Sequence, residues 1–120
     1  MNILILEDDP TRVVSFEKWF KKDELTITDS SDKAISLLEK IKYDIIMLDH
    51  DLGGRHYVDS KEYDTGFRVA AAIPASINKE TRVIIHSHNP VGAQNMKNIL
   101  NSPNAIVLPF GQLYINNEKR

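Results

Sequence analysis

Four short runs of uninterrupted apolar residues constrain the fold of this chain more than any other feature. The runs are Ile3 to Leu6, Ile45 to Leu48, Val83 to Ile85 and Ala105 to Leu108. They are too brief for buried helices and do not alternate with polar residues, which is typical of strands in a parallel sheet covered on both faces. A weaker fifth strand is predicted at Thr26 to Thr28.

Helical patterns separate the strands, and polar caps mark where each helix begins. The expected caps are Asp9, Ser31, Thr65 or Asp64, and Asn89. Pro10 and Pro90 follow two of these caps, at the first helical position, where a missing N–H costs nothing. The first helix should cover residues 10–21, Pro74 should end or distort the third, and a short last helix is expected after Phe110.

Strands that alternate with helices over 120 residues predict one α/β domain, 1–120, with a doubly wound parallel sheet. The chain has no cysteine, which excludes disulfides, a thiol nucleophile and cysteine-bound zinc, and suits a reducing compartment. A net charge of -2 gives no field for gripping duplex DNA. Since we find no leader peptide and no membrane-length apolar run, we expect a cytoplasmic protein without membrane contact.

Carboxylates stand at the predicted ends of two strands, where ligands bind in doubly wound sheets. Glu7, Asp8 and Asp49 are the expected trio, since hard oxygen ligands suit Mg²⁺ or Mn²⁺ when a phosphate supplies further oxygens. Like charges gathered there raise one another's pKa, so a cation should sit among them. Two neighbours have a second interpretation: Asp9 as a helix cap, and Asp51 as either a further metal ligand or a turn residue.

Three of the four histidines also follow strands, which helix and sheet packing does not explain. These are His50, His86 and His88, while His56 lies in the loop beyond and is interpreted as a surface residue. His50 and His86 can face one phosphodiester, one as general base and the other as general acid. The predicted catalytic set is His50, His86, His88 and Asp49.

A metal mechanism is the alternative that the sequence leaves open. Neutral imidazole from His86 or His88 can join Asp8 and Asp49 around a transition metal, which then activates water. His86 ranks ahead of His88, because the turn into the fourth helix can begin at Ser87 and break the alternation of the strand.

The stretch SHNPVG offers hydrogen-bond donors to a phosphate. Amides at the start of the fourth helix favour an anion, and Ser87 and Asn89 can add donors. Arg55, in the long connection from Leu52 to Tyr63, can clamp a phosphate or remain solvated. The plainer interpretation makes Asn89 only a cap and Gly92 only a packing glycine, and for Gly92 we favour it.

The order of ILILEDDP, DIIMLD, DTGF, VIIHS and IVLPF resembles the receiver domains of two-component signalling across nearly the whole chain. The resemblance implies a sheet order of 2-1-3-4-5. It also implies that Asp49 stands at the phosphoacceptor position and that Glu7 and Asp8 form the acidic metal pair. Ser87 falls near the hydroxyl residue at the end of the fourth strand.

Two departures from the receiver pattern argue against phosphorelay. Leu108 precedes Pro109 where receivers carry a lysine that pairs with the aspartyl phosphate. The connection after Asp49 is also longer than in a receiver. An apolar side chain cannot neutralise a phosphate, so we expect no phosphorelay.

The segments DHDLGG and HSHN resemble a receiver-derived family, the cyclic-phosphate-processing receiver domains. The resemblance implies hydrolysis or binding of a cyclic nucleotide or a 2′,3′-cyclic RNA end. Two alternatives stay open: a module that sequesters a cyclic nucleotide without turnover, and a degenerate response-regulator receiver. A phage-encoded protein acting in the bacterial cytoplasm would fit such a domain, whereas the substrate, the oligomeric state and the pathway are not indicated.

Overall fold

A computed structural model describes residues 1–113 of the chain. Its strands are β1 (Asn2–Leu6), β2 (Glu24–Thr28), β3 (Ile45–Leu48), β4 (Arg82–Ile85) and β5 (Ala105–Val107). They form one parallel sheet in the order β2-β1-β3-β4-β5, which confirms the predicted fold class and strand order. The weak second strand begins at Glu24, earlier than predicted.

The helices are α1 (Pro10–Trp19), α2 (Ser31–Lys40), α3 (Gly66–Ala72) and α4 (Pro90–Leu100). The first helix is thus shorter than the predicted 10–21. Around Pro74 the chain tightens into a 3₁₀ turn, Ile73–Ala75, since proline has no N–H to continue the α-helical ladder. A second 3₁₀ turn, Phe110–Gln112, lies where the last helix was expected, and residues 114–120 lie outside the described part of the chain.

Side-chain caps start three of the four α-helices. Asp9 accepts from the amides of Thr11 and Arg12, and Asn89 accepts from the amide of Gly92. The predicted cap Ser31 is wrong by one residue, because the Ser30 hydroxyl accepts from Lys33. Thr65 occupies the cap position of α3, but its side chain makes no capping bond.

Apolar side chains cover the sheet on both faces, as continuous apolar strands require. On one face Leu4 and Leu6 pack with α2, α3 and α4. On the other, Ile3 and Ile5 pack with Phe16 and further residues of α1. Among residues 1–113, no helix is both long enough and apolar enough to span a bilayer.

Candidate functional site

An open cleft of about 510 Å³ lies at the carboxyl ends of β1 and β3. It is lined by the carboxylates of Glu7, Asp8 and Asp49, which bring one oxygen each within 4.8 Å of the others. Further lining comes from the start of α1 with Arg12, residues 53–56 of the long connection, His88, and the carboxylates of Asp29 and Asp51. The cleft thus combines hard anionic ligands with cationic and imidazole side chains.

Asp49 follows β3 and is almost fully buried, which makes its charge costly. Burial raises its pKa to about 8, and the neighbouring Glu7 carboxylate adds to the rise. Asp49 Oδ1 accepts from the amide of His50 at 2.8 Å, and Arg12 Nη1 lies 4.0 Å from Asp49 Oδ2, but these contacts do not offset the penalty. A bound cation would offset this penalty, and the all-oxygen donor set fits Mg²⁺ or Mn²⁺.

Glu7 is held on both carboxylate oxygens. Its Oε1 lies 3.1 Å from Nε2 of His86, and its Oε2 accepts from the amides of Asp8 and Asp9. Burial alone would raise the pKa of Glu7, but the hydrogen bond from His86, the amide of Asp9 and the charge of Arg12 outweigh it and keep the pKa below its usual value. Glu7 is therefore a fixed carboxylate.

His86 is fully buried beneath the cleft and packs edge-on against Phe16 of α1, with ring centroids 5.3 Å apart. Burial lowers its pKa, so the ring is neutral and its Nε2–H donates to Glu7. The other ring nitrogen, Nδ1, has no hydrogen-bond partner among residues 1–113. The ring positions Glu7 and is covered from the cleft.

His50 is also fully buried, but on the opposite face of the sheet. Its ring packs against Gly92 of α4, where an added Cβ would lie 2.5 Å from His50 Cγ. This close approach supports the interpretation of Gly92 as a packing glycine. Nδ1 of His50 lies 2.7 Å from Asp51 Oδ1, and Nε2 lies 2.8 Å from the hydroxyl of Ser60.

His50 and His86 therefore do not face one phosphate, contrary to the sequence-based expectation. His50 continues the face of β3 that bears Leu48, which packs towards α2, α3 and α4. His86 continues the face of β4 that bears Ile84, which packs towards α1. Because successive side chains of a strand point to opposite faces, the strand alternation itself separates the two rings.

Asp51 is not part of the metal cluster, which corrects its prediction as a ligand. Oδ1 accepts from the Val58 amide and from Asn89 Nδ2 as well as from His50, and Oδ2 accepts from the Tyr57 amide at 2.7 Å. These donors hold the pKa of Asp51 below its usual value, although burial works against them. Asp51 therefore acts as the turn residue of the alternative interpretation and fixes the connection that forms the cleft wall.

Asn89 is committed within the protein rather than directed at a phosphate, and Ser87 does not belong to the lining of the cleft. The Asn89 amide group donates to Asp51 and to the carbonyl of Val58, and its oxygen accepts from Gly92. The Ser87 hydroxyl accepts from the backbone amide of Asn89. The cap thus occupies the Gly92 amide, one of the helix-start donors expected to meet an anion.

The connection after Asp51 reaches over the acidic cluster through two glycines. Gly53 and Gly54 both have φ above +70°, in the region that other residues rarely adopt. The Gly54 amide donates to Asp8 Oδ2 at 2.6 Å. Arg55 lines the cleft, with its guanidinium about half exposed and its Nε donating to the Leu52 carbonyl.

Two histidines do reach the cleft. His88 and His56 are both exposed and both line it. His88 thus lines the cleft whereas His86 is buried away from it, which reverses the predicted ranking of these two residues. No histidine belongs to the carboxylate cluster found among residues 1–113, so the transition-metal alternative gains no support from the geometry.

Arg12 is the cleft residue that sequence reasoning missed. Its guanidinium lies 3.6 Å from Glu7 Oε1 and 4.9 Å from the centre of the Phe110 ring. A sequence signal for it exists: Arg12 stands in the first turn of α1, where a cation opposes the helix dipole unless nearby carboxylates compensate.

The fold and the site at its carboxyl edge define a receiver-like domain. The receiver domain of sensor histidine kinase PA1611 from Pseudomonas aeruginosa PAO1, crystallised with magnesium in its active-site cleft, has a TM-score of 0.70 and 18% identity, over 98% of this chain and 94% of that one. The Mn²⁺-bound response regulator Rcp1 has a TM-score of 0.71 and 18% identity, over 98% and 89%. The Francisella response regulator 1452 receiver domain has a TM-score of 0.68 and 17% identity, over 98% of this chain and 93% of that one.

The sequence places the chain more narrowly within this class. It belongs to the cyclic-phosphate processing receiver domain family, whose model matches residues 2–102. The sequence matches no curated protein. The family membership confirms the resemblance seen in the motifs, while the low identity to the solved receivers establishes the fold alone.

Proposed function

We propose that this protein hydrolyses a small cyclic phosphate, such as a cyclic nucleotide or a 2′,3′-cyclic RNA end, at a divalent cation in the cleft. The observation that carries the proposal is the carboxylate cluster of Glu7, Asp8 and Asp49 in one cleft with His88 and Arg12. An acidic cluster alone would repel a phosphate. Together with a cation and the basic side chains around it, the cluster supplies a site for one.

Glu7, Asp8 and Asp49 are the side chains that would hold the cation. Their oxygens come from the ends of two neighbouring strands, and two of the three carboxylates are buried and oriented by hydrogen bonds. Mg²⁺ or Mn²⁺ bound there would polarise the phosphate and offset the charge that builds up during attack by water. Receiver domains with the same fold were crystallised with those two metals.

His88 is the side chain proposed to move protons. Hydrolysis of a cyclic phosphate breaks one P–O bond of the ring and joins the water oxygen to phosphorus, so the water loses a proton and the released alkoxide gains one. An exposed imidazole at the cleft can accept the first proton or give the second near neutral pH. His50 and His86 are fully buried, so their proposed role is to support the site and not to transfer protons.

Binding without turnover and phosphorylation of Asp49 are the competing functions. The receiver alternative has one specific observation in its favour, since Asp49 is a buried carboxylate beside two acidic neighbours. Against it, Leu108 is half-buried and packs on the apolar cluster beneath α1, so no lysine ammonium stands at that position.

A panel of cyclic phosphates tests these functions together. The purified protein is incubated with Mg²⁺ or Mn²⁺ and each of a 2′,3′-cyclic nucleotide, a 3′,5′-cyclic nucleotide and a cyclic dinucleotide, and products are followed by chromatography and ³¹P NMR. We expect one compound to be converted to a phosphomonoester or linear product, and Asp8→Asn to abolish the conversion. Tight binding with every ligand recovered intact would establish a sequestering module instead. Stable labelling of Asp49 by acetyl phosphate would establish a receiver.

A further inference from the structure

A cation from another element lies against the segment that carries Leu108 in place of the receiver lysine. Leu108 and Pro109 follow β5, and Phe110 comes next. The guanidinium of Arg12 lies over the Phe110 ring, 4.9 Å from its centre. Arg12 belongs to α1, yet its charge lies against Phe110, two residues beyond Leu108.

The guanidinium is placed as a ligand-binding group would be. Within the described part of the chain it makes two long ion pairs, 3.6 Å to Glu7 Oε1 and 4.0 Å to Asp49 Oδ2, and no hydrogen bond. Its side chain is only 16% exposed, so bulk water reaches little of it. A largely covered guanidinium with unused N–H donors, on the wall of a cleft, can accommodate an oxyanion with several acceptors.

We propose that Arg12 binds the phosphate of the ligand and takes over the role of the absent lysine. The inference rests on the proposed function, because it concerns the same cleft. Arginine differs from lysine in offering a planar fork that can hold two phosphate oxygens at once. The ring of Phe110 supports one face of that fork, with the guanidinium carbon 4.9 Å from the ring centre.

The test separates a phosphate-binding Arg12 from one that only balances the carboxylates. Binding of Mg²⁺ alone, and of inorganic phosphate in saturating Mg²⁺, is measured by calorimetry and ³¹P NMR for the wild type, Arg12→Gln, Arg12→Lys and the control Arg82→Gln. Arg82 is an exposed arginine at the start of β4, so it lies at the amino ends of the strands, opposite the cleft. Each variant's fold is checked by circular dichroism.

We expect Arg12→Gln to weaken phosphate binding by about 10- to 100-fold, the usual effect of losing hydrogen bonds to a charged group. Mg²⁺ binding should stay equal or tighten, since a competing positive charge is gone. Arg12→Lys should restore binding only in part, and Arg82→Gln should change neither affinity.

Unchanged phosphate affinity in folded Arg12→Gln would overturn the proposal, and tighter Mg²⁺ binding alone would identify Arg12 as a counter-ion. Failure of the wild type to bind phosphate with Mg²⁺, or loss of both affinities in Arg12→Gln, would overturn it as well. If the wild type binds phosphate through Arg12 but hydrolyses no cyclic phosphate, the proposed function fails while the assignment of Arg12 stands.

Discussion

Nδ1 of His50 lies 2.7 Å from Oδ1 of Asp51, and the same carboxylate accepts from the backbone amides of Tyr57 and Val58. The histidine of the DHDLGG segment thus orients the aspartate that fixes the wall of the cleft. On the far side of the ring, the Ser60 hydroxyl joins Nε2 to Asn95 of α4. The chain of hydrogen bonds ties the loop to the helix.

The close contact between His50 and Gly92 gives a stability prediction. In Gly92→Ala the new methyl group would lie 2.5 Å from Cγ of the buried ring, so we expect a loss of about 1–3 kcal/mol from overpacking. His50→Ala should cost about 1–3 kcal/mol by leaving buried polar groups unpaired. In the double variant the space left by the ring accepts the methyl group. The double variant should therefore lose less free energy of unfolding than the two single variants lose together. Urea unfolding of all four proteins measures this.

Additive losses in that cycle would show that the ring does not press on Gly92. The matched control is Gly111→Ala, because within residues 1–113 no atom beyond its chain neighbours lies within 4 Å of an added Cβ there. Gly111→Ala should leave the free energy of unfolding nearly unchanged, whether it is introduced into the wild type or into His50→Ala.

The histidines also give a prediction that separates catalysis from support. His88→Ala should lower turnover of the cyclic phosphate by about 10²- to 10⁴-fold, the usual contribution of a positioned proton-transfer group, with little change in Tm. His86→Ala should lower Tm, because it removes a fully buried ring that holds Glu7 and packs on Phe16. His56→Ala, which removes the other exposed histidine of the cleft, shows whether the loss of turnover is particular to His88. Full activity in His88→Ala, with a hydrolysing wild type, would remove His88 from the mechanism.

Most strands and helices were predictable because their signals are local, whereas the strand order followed from the resemblance to receiver domains. Four strands contain a continuous apolar run, and caps such as Asp9 and Asn89 are read from two or three residues. The carboxylates of Glu7 and Asp49 were likewise predictable as neighbours, since parallel strands bring their carboxyl ends to one edge.

The directions of side chains, and contacts between residues far apart in the sequence, were harder to predict. Applying strand alternation from Ile84 to His86, and from Leu48 to His50, would have placed the two rings on opposite faces. The reach of Arg12 to Phe110 joins residues far apart in the sequence, and no short motif encodes it. The hydrogen bonds of Asp51 likewise depend on the path of the long connection, which composition does not determine.

The environment of Leu108 predicts the result of restoring a receiver lysine. Leu108→Lys would place an ammonium on an apolar cluster, so we expect lower stability and no stable acetyl-phosphate labelling of Asp49. Mass spectrometry of the intact protein measures the labelling. Robust labelling of Leu108→Lys or of the wild type, lost when Asp49→Asn is introduced, would contradict this prediction.

Asp49 itself gives a prediction about pH and metal. In the folded protein without metal its pKa is raised to about 8 by burial and by Glu7, well above the value of 3.8 for a free aspartate. The folded state therefore holds its proton more tightly than the unfolded state, and the stability this confers is complete below the unfolded pKa and is lost as pH rises towards 8. The side-chain amide introduced by Asp49→Asn does not titrate, so the Tm advantage of this variant in EDTA should grow from pH 5 to pH 8.

At pH 8 in EDTA that advantage should be about 4 °C or more, the shift that about 1 kcal/mol produces in a domain of this size. Saturating Mg²⁺ should reverse the order, since the cation stabilises the ionised carboxylates of the wild type and finds one ligand fewer in Asp49→Asn. Asp29→Asn, which removes an exposed carboxylate at the same cleft, is the control and should show no advantage that grows with pH. Differential scanning fluorimetry across pH, with and without Mg²⁺, measures all three proteins. A constant difference between wild type and Asp49→Asn from pH 5 to pH 8 would show that Asp49 ionises as freely in the folded protein as in water.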